Sequence, residues 1–448
     1  MATIKISIIG AGSGAFTMSL INDICLTPNL HASTISLMDI DPERLADAHA
    51  LCCRFVQKTG APITLQTTLD RRESLRGADF VVVIALVDGA RRLKQGWLVA
   101  EKHGAKWGGS YHILYDEPFW LNFYQLRLFE AIAQDMLELC PHAWMLLVSN
   151  PVLAATTLLQ RDYPALNMVG LCHGYNGVYE IADVLRLGRE HLTYEIPGVN
   201  HFVWLTSLYH EGQDVFPIID RWLETEAQQH WKTHPEGTMG IKKMDLYRKL
   251  RAIPIGDTAS ITGASWPWWY HSDGAVEQRW RTDSRDWWYR YVADLAAAPQ
   301  RLSHLARRPA AAPEHNGSLH LSGDSMIPII ESISCDIPRV IITNIQNTSH
   351  FVAGIPSDFE VEIPTLVSKR GVQGVKTKGL PKALIAHTLR DRVAPVEIEL
   401  EAYRTGSRDL LTHLVLMDKW INSQDQANGL IDEVFSLPYH QELRQHYR

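Results

Sequence analysis

Three residues near the middle of the chain carry donor atoms that bind divalent metals in proteins. Cys172 and His173 follow one short apolar run, and His201 follows another within PGVNHFVWL. A thiolate and imidazoles that converge at the ends of buried strands can hold a metal ion. A lone buried Cys or His is more often a packing residue, so the spacing alone leaves both interpretations open.

Because Cys172 and His173 are adjacent in the chain, they cannot both easily bind the same metal ion. Adjacent strand residues point to opposite faces, so both can be ligands only if the chain has already turned. Gly174 makes such a turn possible. We therefore expect Cys172 and His201 to be the ligands and His173 to contact a substrate. Two protein ligands leave positions open for substrate oxygens, which suits a catalytic metal.

The chain begins with an apolar strand pattern, a glycine-rich loop (GAGSGA) and a helical pattern. This is the GxGxxA form of a dinucleotide-binding loop, where small residues let backbone approach a pyrophosphate at a helix N-terminus. Asp39 ends the second strand; an acid there accepts hydrogen bonds from ribose hydroxyls and repels a 2′-phosphate, which favours NAD over NADP. The alternative is a glycine turn without a cofactor. The predicted cofactor-binding residues are Gly10, Gly12, Ser13, Gly14, Ala15, Phe16 and Asp39.

Three further polar residues lie where a ligand could reach them. Asp116 precedes a helical pattern, and its alternative role is a turn or helix cap. Asp257, in IPIGDTAS, is either a turn former or a site residue. Asn150 follows a strand pattern, and the carboxyl ends of parallel strands are where ligands bind. Its alternative role is a helix N-cap before Pro151.

Short apolar strands alternate with amphipathic helical patterns in the first third of the chain. Such alternation predicts a parallel sheet covered on both faces, with right-handed crossovers. The predicted strands are 4–9, 34–38, 80–85, 144–148 and 167–171, and the predicted helices lie near 14–26, 42–58, 91–103 and 121–139.

The pattern changes after residue 172. We predict two strands in 193–209, mainly helices from about 214 to 305, an exposed Pro/Ala-rich connection at 307–318 and strand segments in 338–364. The fold class is therefore α/β, a Rossmann-like doubly wound parallel sheet followed by a mixed α+β domain. We expect an NAD-binding domain at 1–172 and a substrate-, metal-binding and oligomerisation domain at 173–448.

Composition restricts the class of protein. The 448 residues are 46% hydrophobic and 21% charged with a net charge of −7, which is ordinary for a globular enzyme and argues against nucleic-acid binding. No apolar run predicts a membrane span, and no secretory signal pattern begins the chain. Six irregularly spaced cysteines suit a reducing compartment, so we expect a cytoplasmic protein.

Taken together, these segments resemble glycoside hydrolase family 4, the glycosidases that depend on NAD and a divalent metal. The resemblance covers nearly the whole chain and looks most like the α-glucosidase branch. It rests on ISIIGAGSGAF, LMDIDPERL, SNP, GLCHG, GVNHFVWL, PIGDT, LSGD and LPYHQELRQHYR.

The resemblance implies hydrolysis of α-glycosides through transient oxidation at C3 of the sugar. It implies manganese at Cys172 and His201, a proton-donating acid at Asp116, a carboxylate base at Asp257, and substrate contacts from Asn150 and His173. It also implies a homodimer or homotetramer. The CHG form is similar to that of members that act on unphosphorylated sugars.

Departures from the family pattern leave the sugar open. The loop before Asp116 is shorter than in similar α-glucosidases, and Ser260 stands where similar sequences tend to have an arginine. The segment SITGASWPWWYH is also longer than its counterpart. An α-glucuronidase or an α-galactosidase therefore remains an alternative. Two other classes are an NAD-dependent hydroxy-acid dehydrogenase, which would accumulate NADH, and a non-catalytic NAD-binding sensor.

Overall fold

The structure is a computed structural model that describes residues 2–260, 267–280, 284–308 and 320–448. Within these ranges the strands are β1 (Lys5–Ile9), β2 (Thr34–Met38), β3 (Thr64–Thr68), β4 (Phe80–Val83), β5 (Trp144–Leu147), β6 (Asn167–Gly170), β7 (Leu192–Glu195), β8 (Gly198–Val199), β9 (Phe202–Leu205), β10 (Ser207–His210), β11 (Gln213–Asp214), β12 (Ile253–Ile255), β13 (Arg339–Gln346), β14 (Glu360–Ser368) and β15 (Gly371–Gly374).

The helices surround these strands and end close to the predicted positions in the first third. They are α1 (Ala15–Cys25), α2 (Pro42–Thr59), α3 (Arg71–Leu75), α4 (Gly89–Lys102), α5 (Phe119–Leu139), α6 (Val152–Asp162), α7 (Gly177–Leu185), α8 (Phe216–Thr225), α9 (Ala227–His230), α10 (Ile241–Leu250), α11 (Gly274–Trp280), α12 (Ser284–Arg307), α13 (Met326–Cys335), α14 (Lys382–Thr388), α15 (Ala394–Thr405), α16 (Arg408–Leu416), α17 (Gln424–Ser436) and α18 (Gln441–His446).

A six-stranded parallel arrangement forms the N-terminal part of the main sheet, in the order β3-β2-β1-β4-β5-β6. This is the doubly wound order, whose direction reverses between β1 and β4 and opens a crevice at the carboxyl ends of the strands. The FVVV sequence of β4 is buried throughout, as expected for a parallel strand covered by helices on both faces. The predicted fold class is confirmed.

The same sheet continues through antiparallel strands from the second half of the chain. β13 pairs with β6, and β14, β8, β9 and β12 follow in order. The turn between β8 and β9 is therefore brought close to the end of β6. This continuation carries the two predicted metal ligands towards each other, although they lie on different strands.

Some features of the chain differ from the sequence predictions. The strand β3 was not expected, because its TLQTT sequence is polar and mostly exposed, so it lacks an apolar run. Two strands were predicted in 193–209, whereas the structure has four strands in this region, β7 to β10. Residues 309–319 and 261–266 lie outside the described ranges. Most of the predicted 307–318 connection and half of the SITGASWPWWYH segment fall there.

Candidate active site

Cys172 and His201 meet at the carboxyl edge of the sheet. Cys172 lies just beyond the end of β6, and His201 occupies the turn between β8 and β9 with a left-handed φ of 58°. A donor atom from each, together with a carboxylate oxygen of Asp257, lies within 4.8 Å of the others. Asp257 Oδ2 is 3.5 Å from His201 Nε2. Sulfur, imidazole and carboxylate donors at this spacing fit a transition-metal site with open positions.

The thiol of Cys172 is held in its neutral form when no cation is nearby. Burial raises its pKa to about 11, the Glu362 carboxylate adds to the rise, and the hydrogen bond with His201 opposes it. A metal binds the thiolate, so metal binding must displace this proton. The site therefore gains affinity for a cation as the pH rises.

A buried carboxylate behind His201 sets the orientation of its ring. His201 Nδ1 lies 2.8 Å from Glu117 Oε1, which leaves Nε2 directed at Asp257 and Cys172. This is the carboxylate–histidine arrangement that fixes a metal ligand's tautomer. Burial alone would raise the pKa of Glu117, but Arg392 and His201 outweigh it and lower the pKa to about 2.

The guanidinium of Arg392, which is completely buried, supplies the positive charge that pairs with the Glu117 carboxylate. Its Nη2 lies 3.4 Å from Glu117 Oε2, and its guanidinium stacks 4.1 Å from the ring centre of Tyr111. Asn200, which precedes His201, donates to Glu362 at 3.1 Å. These buried contacts hold the β8–β9 turn in place from behind.

Replacing Glu117 with glutamine tests this support. We expect the free energy of unfolding to fall by about 3 kcal/mol, because Arg392 keeps its charge in a buried site without a counter-charge. Affinity for Mn²⁺ should fall about 10- to 100-fold, since His201 loses the group that orients it. Denaturant unfolding and a metal titration measure the two effects.

The matched control is Glu397→Gln, which removes a half-exposed partner of Arg161 at the surface. That change should cost about 1 kcal/mol or less and leave metal affinity unaltered. Equal metal affinity in the Glu117 variant and the wild type would contradict the orienting role of Glu117.

Asp116 lies in the loop before α5, beside the metal-ligand candidates. Burial raises the pKa of its carboxyl to about 7; His201 opposes the rise, and the Glu117 and Asp257 carboxylates reinforce it. Asn150, which follows β5, donates from Nδ2 to Asp116 Oδ2. A carboxyl that is still partly protonated at neutral pH can act as a general acid.

His173 lies on the open side of the site and is 43% exposed at its side chain. Its Nδ1 is 3.1 Å from Asp324 Oδ1, a carboxylate from the segment that precedes α13. The chain has already turned here: β6 ends at Gly170, and His173 itself has φ −92° and ψ 1°. His173 and Cys172 therefore do not alternate as strand residues would.

The glycine loop follows β1 at the same edge of the sheet. Gly10 has a φ of 92°, and a Cβ there would lie 2.6 Å from the Cα of Ala85. Gly12 N donates to Asp39 Oδ2 at 2.7 Å, which places the acid against the loop. Gly14 precedes α1 and brings no side chain to cap it, so the first N–H groups of the helix are available to an anion.

These features fit a dinucleotide. The close approach at Gly10, the acid at the end of β2 and the uncapped helix are the parts that hold a pyrophosphate and a ribose. Phe16, at the start of α1, is 44% exposed. Leu302 of α12 rests against Gly14, where an added Cβ would be 2.7 Å from its Cδ1.

The structure brings the predicted site residues Cys172, His201, Asp257, Asp116 and Asn150 into one cluster. Sequence reasoning missed the buried or half-buried groups that support it, which are Tyr111, Glu117, Asn200, Asp324, Glu362 and Arg392. Glu117 could have been identified as a site residue because it directly follows Asp116 in LYDEPFW. No sequence pattern indicated Arg392, because it lies in a charged run of a helical segment.

Comparison with known proteins supports one family over almost the entire chain. The model for "Family 4 glycosyl hydrolase" matches residues 5–187, and the model for its C-terminal domain matches residues 196–421.

Within the described residues, no helix has both the length and the apolar character needed to cross a membrane.

Individual relatives span the same length. An α-glucosidase of Erwinia rhapontici is 27% identical over 97% of this chain and 98% of its own. An α-galactosidase of Rhizobium meliloti is 25% identical over 97% and 88%. A 6-phospho-α-glucosidase from gut microorganisms, solved in complex with NAD and Mn²⁺, shares the fold with a TM-score of 0.78, 17% identity and 98% coverage of both chains. The chain belongs to family 4 of the glycosyl hydrolases.

Proposed function

We propose that this chain hydrolyses α-glycosidic bonds of unphosphorylated sugars, with an α-glucoside as the first expected substrate, and that it requires NAD and Mn²⁺. The observation that carries the proposal is the grouping of a proton-donating carboxyl, Asp116, with the metal-donor pair of Cys172 and His201 and with a second carboxylate, Asp257, beside that pair. Both lie at the sheet edge that carries the glycine loop. An α-galactosidase or α-glucuronidase remains the alternative, because Ser260 and the sequence that follows it depart from the family pattern.

NAD and the metal would supply different parts of the chemistry, and different residues would hold each of them. NAD, when bound, would supply the capacity to accept a hydride from C3 of the sugar and to give it back, and the metal would supply a Lewis acid for the neighbouring oxygens. Cys172 and His201 would hold the metal, and Gly10, Gly12 and Asp39 would lie against the cofactor. Oxidation at C3 makes the proton on C2 acidic enough for a carboxylate to remove.

The remaining steps fall to the chain's own side chains. Asp257 accepts the C2 proton, and Asp116 donates a proton to the departing oxygen at C1, so that a double bond forms between C1 and C2. Water then adds at C1 and Asp257 returns the proton to C2, which leaves a C3 ketone that the hydride supplied by the bound cofactor would reduce. Asn150 holds Asp116 and the sugar, and His173 contacts the sugar from the open side.

One experiment tests the mechanism and separates it from an ordinary dehydrogenase. Hydrolysis of p-nitrophenyl α-glucoside in D₂O, with NAD, Mn²⁺ and a reducing agent, should give glucose that carries deuterium at C2, without net NADH. Parallel reactions with the α-galactoside and the α-glucuronide determine the sugar. NADH that accumulates in proportion to turnover, or hydrolysis that survives removal of NAD and metal, would contradict the proposal.

We also propose a cytoplasmic homodimer or homotetramer. The residue usage of the chain and its free cysteines suit a reducing compartment. Light scattering at several protein concentrations checks the assembly; a monomer throughout would contradict it.

A further inference from the structure

A short segment, residues 320–325, joins the cofactor side of the molecule to the sugar side. On the cofactor side it is held by α1, the helix that begins at the glycine loop. Asn22 Nδ2 donates to the carbonyl of His320 at 2.8 Å. Ser322 N donates to Asp23 Oδ1 at 2.9 Å, and its hydroxyl donates to Asp23 Oδ2. Asp23 is 3% exposed, so its carboxylate holds Ser322 from a buried position on α1.

On the sugar side the same segment holds the turn that follows Cys172. The Tyr175 hydroxyl lies 3.0 Å from Ser325 Oγ and donates to the carbonyl of Gly323 at 3.2 Å. Asp324 reaches His173 at 3.1 Å. Segment 320–325 thus contacts the turn at two points, with α1 on its other side.

Asp324 occupies the centre of these contacts. Its backbone N–H donates to Ser322 Oγ at 3.0 Å. An imidazole has two nitrogens at fixed positions on the ring, so holding Nδ1 fixes the direction of Nε2. His173 is exposed and has no other described ion-pair partner, so Asp324 is what determines where its free nitrogen points.

We propose that Asp324 is a positioning residue, which holds His173 so that Nε2 faces the sugar hydroxyls. The inference rests on the proposed function, because it assigns His173 to a sugar. Asp324 itself need not touch the substrate. A residue that acts in this way affects the binding of sugar much more than the chemical step.

The test is a double-mutant cycle of Asp324→Ala and His173→Ala in the NAD- and Mn²⁺-loaded enzyme. Asp324→Ala should raise KM for p-nitrophenyl α-glucoside about tenfold and change kcat about twofold or less. The double variant should be no worse than His173→Ala, because both changes remove one contact. Asp324→Asn should restore most of the affinity, since its carbonyl still accepts from Nδ1–H.

Calorimetric binding of methyl α-glucoside gives the same comparison without turnover. It separates failure of the inference from failure of the hydrolytic mechanism. If Asp324→Ala folds poorly, Asp324→Ser keeps a polar group but is too short to reach His173, and it should weaken binding equally. Additive effects in the cycle, or sugar binding by these variants that equals the wild type, would overturn the proposal. The exposed Asp294→Ala on α12 is the control that should change nothing.

Discussion

Replacing Cys172 with serine is expected to reduce the hydrolysis of an α-glucoside about a thousandfold or more. Serine matches the shape of cysteine, but its hydroxyl is a far poorer metal ligand than a thiolate at neutral pH. The fold should tolerate the change, because Cys172 is only half-buried and makes few structural hydrogen bonds. Initial rates with NAD and Mn²⁺, together with a Mn²⁺ titration, measure the effect.

Two controls make this result specific. Cys335→Ser changes a half-buried cysteine at the end of α13 and should retain full activity. NAD affinity of the Cys172 variant, followed by tryptophan fluorescence, should stay within about threefold of the wild type, since the glycine loop is untouched. A Cys172→Ser enzyme with near-normal rates would remove this residue from the metal site.

The same cysteine makes metal binding depend on pH. Burial raises the pKa of the Cys172 thiol to about 11, so metal binding releases the thiol proton at neutral pH. Burial lowers the pKa of His201, but Cys172 and Glu117 outweigh it and raise that pKa well above the usual value, so His201 releases a proton as well. The apparent affinity for Mn²⁺ should then rise at least about tenfold per pH unit between roughly pH 7 and 9. Cys172→Ser should lose the thiol's part of this slope along with most of the affinity.

The parts of this site that the sequence could predict are those set by local patterns. The glycine loop, the acid at the end of β2 and the residues after β5 and β6 all follow apolar runs, and parallel strands deliver their carboxyl ends to one edge. Local pattern therefore located Asn150 and Cys172. It failed for β3, whose polar residues are exposed and give no periodic signal.

The supporting contacts could not be predicted, because they join residues that are far apart in the chain. Arg392 and Glu117 are 275 residues apart, and their pairing depends on the packing of the helical C-terminal region against the loop before α5. Asp324 and His173 are joined only after segment 320–325 crosses α1. A single sequence records the residue types of such pairs but not their proximity.

Asp116→Asn is expected to slow the cleavage of an α-linked disaccharide about 10²- to 10⁴-fold, the range for loss of a general acid. Asparagine keeps the size of the side chain and can still accept a hydrogen bond from Asn150, so the loop before α5 should persist. It cannot donate the proton that a sugar alkoxide needs on leaving. Measurement of kcat/KM with the disaccharide gives the size of the loss.

The nature of the leaving group distinguishes this role from a structural one. A p-nitrophenolate leaves without protonation, so Asp116→Asn should slow p-nitrophenyl α-glucoside by about tenfold or less. Asp257→Asn is the matched comparison, because it acts at C2 and should slow both substrates alike. Equal losses on both substrates in the Asp116 variant would show that Asp116 is not the acid.

The pH dependence of disaccharide hydrolysis also tests whether Asp116 is the acid, because the rate is expected to change in one direction. Asp116 donates only while protonated, and burial places its pKa at about 7. In the wild type, disaccharide hydrolysis should therefore lose about tenfold per pH unit once the pH exceeds the pKa that Asp116 has in the loaded enzyme, while metal binding at Cys172 improves in the same direction. With saturating Mn²⁺ the two effects separate. The alkaline decline should remain in the wild type and vanish in Asp116→Asn, because the carboxyl that has to stay protonated has been removed.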